Sequence, residues 1–362
     1  MMLTFDVSKG DEASALAHVA AAEAAAKTPP GIDIASARPV ERVAIVGGGL
    51  MGSGIAAACL FAGTSVTILE QDAASADVAR KRVNRLLEGA VKRGKLSDDA
   101  KADGLSRLEA ASDFDRARCA DLAIEAVFED LEAKRHVFQK LEQVLRPEVP
   151  IATNTSYLNP VQVGADIADL SRVIGLHFFS PAHVMKLLEV VRTPASSMEA
   201  LATAFALAER LGKVAVPAGI CDGFIGNRML QAYRRQADYM LLDGCLPHEV
   251  DHAMRGFGMP MGPYELQDLT GLQISFANRR RQDATRSREE RYATIGDRLC
   301  EMGRLGQRSG KGWYDYKEEN RTPYRDEEVE ALILATARDL GIKRCSYSEA
   351  EITARLMAVL IN

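Results

Sequence analysis

The sequence has little that would direct the protein to a membrane or to nucleic acid. No apolar run reaches the roughly 18 residues that a transmembrane helix needs. The acidic, alanine-rich start lacks the basic and apolar stretches of a signal peptide. The formal net charge is −5, so no excess of basic residues favours nucleic acid or an anionic membrane. We therefore expect a cytoplasmic protein with neither of these partners.

Paired cysteines and clustered metal ligands are also lacking. The six cysteines are scattered and include no C-x-x-C pair, which is typical of reduced thiols and not of a disulfide framework or a zinc site. Asp251 lies near His248 and His252 at helical spacing, but without the acid-rich surroundings of a metal site. The sequence thus predicts no bound metal, and these histidines are interpreted as structural.

The chain does have a regular alternation of strand and helix patterns. With 362 residues, 47% of them apolar, it is long enough for two domains. Buried parallel strands are predicted at 42–46, 65–69, 121–127 and 149–152, with helices near 50–62, 73–93 and 130–145. After Pro217 the strand pattern fades, and helices are predicted at 223–243, 247–256 and 263–280. We expect an α/β fold, in which a doubly wound Rossmann-type domain is followed by a mostly α-helical domain.

Four segments follow from this pattern. Residues 1–40 are predicted to form an N-terminal helix and linker, 41–217 the Rossmann domain, 218–318 the helical domain, and 319–362 the start of a second helical repeat. The last expectation depends on two features of the final segment: a weak likeness to an earlier helix, and an apolar helical pattern that reaches the chain end without a cap. We accordingly expect a fragment whose second helical repeat is truncated.

A glycine-rich loop follows the first predicted strand and opens the first helix of the Rossmann domain. Gly47, Gly49 and Gly52 form the pattern G-x-G-x-x-G. This pattern permits a tight turn, a close approach of a pyrophosphate to the backbone, and close packing of the helix. Glu70 ends the second strand 21 residues after Gly49, where an acid binds the ribose hydroxyls; a solvent-facing residue at a strand end is the alternative. A carboxylate there would repel the 2′-phosphate of NADP, so the predicted cofactor is NAD.

A histidine and a glutamate lie on two further apolar runs, joined by a turn that contains proline. The runs 174–179 and 187–191 are predicted as strands, and folding the second back beside the first would bring Glu189 against His177. A carboxylate on one imidazole nitrogen fixes the tautomer and raises the basicity of the other, as a general base near neutral pH requires. Taken alone, a structural histidine is the commoner interpretation.

Six motifs extend this pattern over most of the chain. They are the glycine loop with Met51, I-E-A-V-F-E-D at 124–130, T-N-T-S at 153–156, H-F-F-S-P at 177–181, M-K-L-L-E at 185–189 and G-F-I-G-N-R at 223–228. In order and spacing, the chain from about Arg42 to Tyr316 resembles the 3-hydroxyacyl-CoA dehydrogenases of fatty-acid β-oxidation. The S-P form of the histidine motif is most similar to the dehydrogenase part of multifunctional β-oxidation proteins. Only roughly forty residues precede Arg42, too few for the hydratase domain of those proteins, so hydratase activity is not expected.

The resemblance implies a catalytic set of four residues. His177 would accept the proton of the substrate 3-hydroxyl, and Glu189 would orient His177 and stabilise its charged form. Ser156 and Asn227 would hydrogen-bond the substrate oxygen. From the residues alone, a turn serine and a polar helix-start residue are the alternatives. The implied reaction is the NAD-dependent oxidation of (S)-3-hydroxyacyl-CoA to 3-oxoacyl-CoA.

The resemblance also implies which residues contact NAD and CoA. Those around NAD are Gly47, Gly49, Leu50, Met51, Gly52, Glu70, Ala126, Val127, Glu129, Lys134, Ser156 and Ser180. Lys134 has a second interpretation, as a solvated helix residue paired with Asp130. A basic cluster is implied at the CoA phosphates, and it consists of Lys92, Arg93 and Lys95. A solvated helix end explains that cluster equally well.

Two other functions stay open at this point. A related dehydrogenase would oxidise a hydroxy acid that carries no CoA, and a non-catalytic scaffold would bind NAD without turnover. Single-function members of the family form dimers through the helical domain. A homodimer through that domain is therefore a further expectation, with acyl-CoA as the small-molecule partner.

Overall fold

The computed structural model describes residues 12–287, 289–317 and 321–361. The chain folds into two compact units, whose boundary in sequence falls between Asn227 and Arg228. Helix α1 (Glu12–Ala26) occupies part of the segment 1–40, and residues 1–11 of that prediction lie outside the described residues. None of the described helices is long and apolar enough to cross a lipid bilayer.

The first unit is built on one eight-stranded sheet. Its strands are β1 (Arg42–Val46), β2 (Ser65–Leu69), β3 (Leu108–Ala111), β4 (Leu122–Glu125), β5 (Ile151–Thr153), β6 (Val173–Phe178), β7 (Leu187–Val191) and β8 (Val214–Ala218). They lie in the order β3-β2-β1-β4-β5-β6-β7-β8, and every neighbouring pair is parallel except β6 with β7. The winding reverses between β1 and β4, which is where open α/β sheets bind ligands. The predicted doubly wound fold is confirmed.

Helices cover both faces of this sheet. They are α2 (Leu50–Phe61), α3 (Ala73–Lys92), α4 (Asp98–Ser106), α5 (Leu131–Val144), α6 (Pro160–Val163) and α7 (Met198–Arg210), with 3₁₀ turns at Ile34–Ser36, Phe114–Ala117 and Leu170–Arg172. Alternate residues of β1 enter different cores. Val43 and Ile45 pack with α2 and α3, whereas Ala44 and Val46 pack with α5. Because both faces are buried, residues 43–46 of β1 form an unbroken apolar run, which made the strand predictable.

Helix α4 and strand β3 are absent from the predicted pattern. Strand β3 has only four residues at the sheet edge, and of these only Leu108 is buried. In α4 the one buried residue is Gly104, so the helix presents no apolar stripe. Ser97 caps this helix by accepting a hydrogen bond from the Ala100 amide at 3.1 Å. Weak hydrophobic periodicity therefore explains both omissions.

The second unit is helical in the part that the structure describes. Its helices are α8 (Gly226–Asp243), which begins just before the unit boundary, α9 (Pro247–Phe257), α10 (Pro263–Thr270), α11 (Leu272–Gln282), α12 (Ile295–Glu301), α13 (Glu327–Asp339) and α14 (Glu349–Ile361), with a 3₁₀ turn at Gln307–Ser309. The prediction of one helix over 263–280 is wrong. Gly271, with a φ of 95°, separates α10 from α11, and such a backbone angle suits glycine and interrupts a helix.

Aromatic and acidic side chains form the centre of the second unit. The rings of Trp313 and Tyr264 pack with centroids 4.6 Å apart. Asp268 of α10 accepts hydrogen bonds from the amides of Trp313 and Tyr314 at 2.9 and 3.0 Å. Asp251 of α9 accepts one from the Tyr264 amide at 2.9 Å and one from the Tyr314 hydroxyl at 2.6 Å. Burial raises the pKa of Asp251 to about 7 and that of Asp268 to about 6, although these hydrogen bonds oppose the rise.

Candidate active site

The predicted strand pair around His177 and Glu189 is confirmed. Strands β6 and β7 run antiparallel, and their register places His177 directly opposite Glu189. The imidazole Nδ1 lies 2.6 Å from Glu189 Oε2, and neither side chain is more than 4% exposed. Since an ionised carboxylate can only accept, the proton of the neutral imidazole is assigned to Nδ1 and the lone pair to Nε2.

The second carboxylate oxygen of Glu189 binds the start of helix α8. Oε1 accepts hydrogen bonds from the amides of Ile225 and Gly226 at 2.9 and 2.8 Å. Burial alone would raise the pKa of Glu189, but the bonds from His177, Gly226 and Ile225 outweigh it and hold that pKa below its ordinary value. Glu189 is thus an ionised carboxylate, and its hydrogen bond with Nδ1 fixes the orientation of the imidazole.

The other imidazole nitrogen faces a serine. His177 Nε2 lies 3.2 Å from the Oγ of Ser156. Ser156 follows β5, at the carboxyl end of that strand. Two phenyl rings enclose the imidazole, with centroids 4.6 Å away for Phe179 and 5.5 Å away for Phe224. Phe224 has a φ of 50°, and this uncommon backbone angle turns the chain toward the start of α8.

Asn227 is the second residue of helix α8 and is half-buried. It directly follows Gly226, one of the two residues whose amides bind Glu189. A Cβ at Gly226 would lie 2.8 Å from the Phe179 ring, so glycine is needed for this close approach. The structure therefore brings Asn227 onto the same short segment that supports the histidine–glutamate pair.

The loop that carries Ser156 is held by Glu129. One oxygen of this carboxylate accepts hydrogen bonds from the Ser156 and Tyr157 amides at 3.0 and 3.1 Å and another from the Thr155 hydroxyl. Its second oxygen lies 3.3 Å from the ammonium of Lys134. Burial raises the pKa of Glu129, but Lys134 and the loop donors more than offset this, so that the net shift is downward.

Lys134 is buried and is not the solvated partner of Asp130, so that alternative is wrong. Its side chain is 1% exposed, and Nζ lies 2.8 Å from Glu125 Oε1. Asp130 instead caps helix α5, by accepting a hydrogen bond from the Ala133 amide at 2.9 Å. The helical spacing of Lys134 and Asp130 gave the wrong partner because an N-cap residue lies outside the helical turn that such a pair needs.

The glycine loop meets the end of β4 at the point where the winding reverses. Gly47 has a φ of 96°, and a Cβ there would lie 2.8 Å from the Ala126 carbonyl oxygen. A Cβ at Gly52 would lie 1.8 Å from the Gly47 carbonyl oxygen, whereas one at Gly49 would meet no atom within 4 Å. Two glycines thus permit tight packing, and the third leaves an open cradle at the start of α2 that fits a pyrophosphate.

Glu70 lies against this loop. Its carboxylate accepts a hydrogen bond from the Gly48 amide at 2.6 Å, which places it beside the cradle. The Arg82 guanidinium of α3 donates to the Gly48 carbonyl oxygen from the other side. Arg82 is absent from the predicted site, because nothing in the spacing of α3 distinguishes it from neighbouring surface residues. The cradle and this acid together fit a dinucleotide.

The comparison with known families now decides the assignment. Residues 42–221 match the family described as 3-hydroxyacyl-CoA dehydrogenase, NAD binding domain, and residues 223–316 match the 3-hydroxyacyl-CoA dehydrogenase C-terminal domain. The chain belongs to the 3-hydroxyacyl-CoA dehydrogenase family. Its cofactor is NAD, as the glycine loop and Glu70 predict.

Individual members of the 3-hydroxyacyl-CoA dehydrogenase family are similar over most of this chain. The solved 3-hydroxybutyryl-CoA dehydrogenase of Escherichia coli is 36% identical, with a TM-score of 0.73, over 78% of this chain and 61% of that one. FadB2 of M. tuberculosis is 34% identical, with a TM-score of 0.73, over 77% of this chain and 100% of that one. The peroxisomal bifunctional enzyme of Danio rerio is 38% identical over 90% of this chain and 46% of its own length. The chain spans about half the length of the curated relatives it matches.

Other residues that the family resemblance assigns to the cofactor lie on α2, after β4 and on the β6–β7 connection. Leu50 begins α2 and is exposed, and Met51 behind it is half-buried against the core of the first unit. The Val127 amide follows β4 and donates to Glu125 at 2.7 Å. Ser180 is exposed on the β6–β7 connection, and Ala182 of that connection lies against α2. Their contacts with the cofactor stay predictions.

The basic cluster lies at the end of α3. Lys92, Arg93 and Lys95 are all exposed there. His183 lies on the β6–β7 connection, and burial, the Arg93 charge and the Lys213 charge lower its pKa. Arg93 is therefore within electrostatic range of that connection. Both interpretations of the cluster, as a CoA phosphate site and as a solvated helix end, stay open.

Proposed function

We propose that this chain oxidises (S)-3-hydroxyacyl-CoA to 3-oxoacyl-CoA in fatty-acid β-oxidation, with His177 as the general base. The observation that supports this most directly is the pair of contacts on one imidazole. Nδ1 is bound by the carboxylate of Glu189, and Nε2 points at the Ser156 hydroxyl. A histidine in which one nitrogen is fixed by a carboxylate and the other faces a polar group is suited to accept a proton from an alcohol.

The proposed proton transfer needs only this chain's own side chains. His177 Nε2 accepts the proton of the 3-hydroxyl, and the resulting imidazolium is stabilised by the ionised Glu189 carboxylate at its Nδ1. NAD, when bound, supplies the acceptor for the hydride that leaves C3. In the reverse direction, the same imidazolium returns the proton to the oxygen.

Ser156 and Asn227 would bind the substrate oxygen while it changes from hydroxyl to carbonyl. Ser156 Oγ is 3.2 Å from the base, so an oxygen bound to the serine is also within reach of His177. Asn227 would supply a second donor from the start of α8. Two fixed donors stabilise the charge that develops on this oxygen in the transition state.

NAD would be held by the cradle described above. The pyrophosphate would lie at Gly49 and the start of α2, and the ribose hydroxyls would bind Glu70. Leu50, Met51, Gly52 and the residues that follow β4, among them Ala126, would surround the dinucleotide. The three basic residues at the end of α3 would attract the CoA phosphates.

A substrate panel tests this proposal. We expect NADH formation, measured by absorbance, from (S)-3-hydroxyacyl-CoA thioesters of several chain lengths, and none from the matching free hydroxy acids. NADH binding, followed by fluorescence, is the control for a folded cofactor site. Turnover of free acids alone would favour a dehydrogenase for substrates without CoA, and NADH binding without any turnover would favour a scaffold.

We further propose a homodimer through the helical unit and a cytoplasmic location. The basis for the first is the dimerisation of single-function members of the family, and for the second the scattered, unpaired cysteines of the sequence. Several relatives are named peroxisomal, so microscopy of the tagged protein should compare both compartments. Light scattering after gel filtration would show the oligomeric state, and a monomer at micromolar concentration would contradict the dimer.

A further inference from the structure

A group of three charged side chains lies next to the loop that carries Ser156. Lys134 of α5 is 1% exposed, and its ammonium contacts Glu125 Oε1 at 2.8 Å and Glu129 Oε2 at 3.3 Å. Glu125 ends β4 and has no exposed surface. We call Glu125, Lys134 and Glu129 the acid–lysine triad. The family resemblance assigns Lys134 and Glu129 to the cofactor but gives no role to Glu125.

Glu125 is fixed in place from two sides. The β4–β5 register pairs it with Thr153, whose hydroxyl donates to Glu125 Oε2 at 2.7 Å. The Val127 amide donates to Oε1 at 2.7 Å. Because both oxygens are bound within the sheet and its β4–α5 connection, Glu125 is a rigid anchor for the Lys134 ammonium.

The triad leads directly to the serine. Lys134 neutralises Glu129, and Glu129 accepts hydrogen bonds from the amides of Ser156 and Tyr157. The Ser156 hydroxyl then lies 3.2 Å from His177 Nε2. An unbroken series of polar contacts therefore connects the buried Glu125 with the proposed base.

Packing does not require charged residues at these positions. Removing charges from water has a large desolvation cost, and well-packed apolar side chains in the same space are often as stabilising or more so. A buried charged group that ends on a loop next to a catalytic histidine is more readily explained by the need to hold that loop.

We propose that Glu125 is a positioning residue, which acts through Lys134 and Glu129 to hold the Ser156 hydroxyl at its distance from His177. This inference rests on the proposed function, in which Ser156 binds the substrate oxygen. The Glu125 side chain touches neither the base nor Ser156. The backbone carbonyl of Glu125 accepts a hydrogen bond from the Asn154 amide at 2.9 Å, and a side-chain substitution retains that bond. Its effect on turnover should therefore depend entirely on the serine.

A double-mutant cycle tests this dependence. We expect Glu125→Gln to lower kcat about 10-fold, because a small misplacement of a binding group is costly, while the NADH dissociation constant changes less than about three-fold. In a Ser156→Ala background, the same substitution should change kcat by less than about two-fold, since the residue through which it acts is gone. An equal loss in both backgrounds, or no loss in either, would overturn the proposal.

A second readout does not need turnover. The ring-proton NMR signals of His177 in Glu125→Gln should move toward those of Ser156→Ala, because both changes disturb the same contact. Unmoved signals would overturn the inference even if the chain turned over no acyl-CoA. Failure of the proposed function, which is the absence of acyl-CoA turnover, is therefore distinguishable from failure of this inference.

Two further variants guard against a folding defect. Thr153→Val removes the hydrogen bond to Glu125 at nearly constant volume, together with the bond that the Thr155 amide donates to the same hydroxyl at 3.3 Å. A smaller loss of kcat, about two- to five-fold, should again disappear in the Ser156→Ala background. Glu132→Gln is the matched control, because Glu132 is an exposed residue of α5 paired with Arg135 at 3.2 Å. It should leave kcat and the NMR signals unchanged, and an effect as large as that of Glu125→Gln would overturn the assignment.

Discussion

The two units both bury carboxylates, but the partners of these carboxylates differ. In the first unit, Glu189 contacts the imidazole of His177, whose second nitrogen faces the Ser156 hydroxyl. In the second unit, Asp251 contacts the amides of Tyr264 and Glu265 and the Tyr314 hydroxyl. The imidazole can act as a base through its second nitrogen, whereas the partners of Asp251 only donate hydrogen bonds to that acid. Burial of an acid is thus not by itself a sign of chemistry.

The pKa values of Glu189 and Asp251 are also shifted in opposite directions. The pKa of Glu189 is lowered, because its donors outweigh the effect of burial. The pKa of Asp251 is raised to about 7, because burial outweighs its donors. Changes at Glu189 should therefore appear mainly in turnover, and changes at Asp251 mainly in stability and its pH dependence.

The largest expected effect is that of His177→Gln. Without a general base, kcat for the acyl-CoA substrate should fall by about 10³-fold, while NADH binding by fluorescence titration stays within about two-fold. His136→Gln, on helix α5, is a matched control that should leave kcat unchanged. A variant that retains most of the turnover would refute the assignment of the base.

Glu189→Gln should come next, with kcat lowered by about 10²-fold. The amides of Ile225 and Gly226 require an oxygen, so the glutamine would turn its NH₂ group toward His177 Nδ1. That favours the tautomer with the proton on Nε2, which cannot act as a base. NMR of the imidazole nitrogens would show the tautomer directly, and an unchanged tautomer would contradict this explanation.

The second unit should respond in stability. The pKa of Asp251 is raised above its ordinary 3.8 to about 7, so the folded chain binds a proton that the unfolded chain has released. The resulting stabilisation is present at low pH and is lost as the pH rises through about 7. The free energy of unfolding should therefore fall by about 1–3 kcal/mol between pH 5 and pH 8.

Denaturant unfolding of Asp251→Asn at both pH values measures this effect. An asparagine does not titrate, so the pH dependence should be smaller in the variant than in the unchanged chain. Asp315→Asn, at a partly exposed position of the same unit, is the control. An equal slope in both variants would show that other groups cause the pH dependence.

Much of the first unit was predictable because its strands are buried on both faces. Runs such as Val43–Val46 are continuously apolar, and the glycine loop and the His177–Glu189 pair lie at positions that strand ends and a hairpin dictate. Spacing along the chain is sufficient to predict the position of a residue where one element follows another directly.

The rest depends on pairing between distant elements, which spacing does not show. Glu125 reaches Lys134 and Thr153 only because β4 and β5 pair in one particular register. A charged residue near a strand end looks the same in sequence whether it is solvated or buried. In the second unit, Gly271 interrupts a helical pattern that is otherwise continuous, and a lone glycine is tolerated within many helices.

The smallest predicted effect concerns cofactor selection at the edge of the first unit. Glu70 accepts a hydrogen bond from the Gly48 amide, and the Arg82 guanidinium donates to the carbonyl oxygen of the same glycine. Glu70→Ala should raise the ratio of kcat/KM for NADP to that for NAD by about 10-fold, because the repulsion of the 2′-phosphate is removed and the Arg82 cation remains. The gain should be smaller in Glu70→Ala/Arg82→Ala and absent in Asp77→Ala, an exposed position of α3. An unchanged ratio in Glu70→Ala would refute its ribose role and would leave the glycine cradle as the main determinant of dinucleotide binding in the first unit.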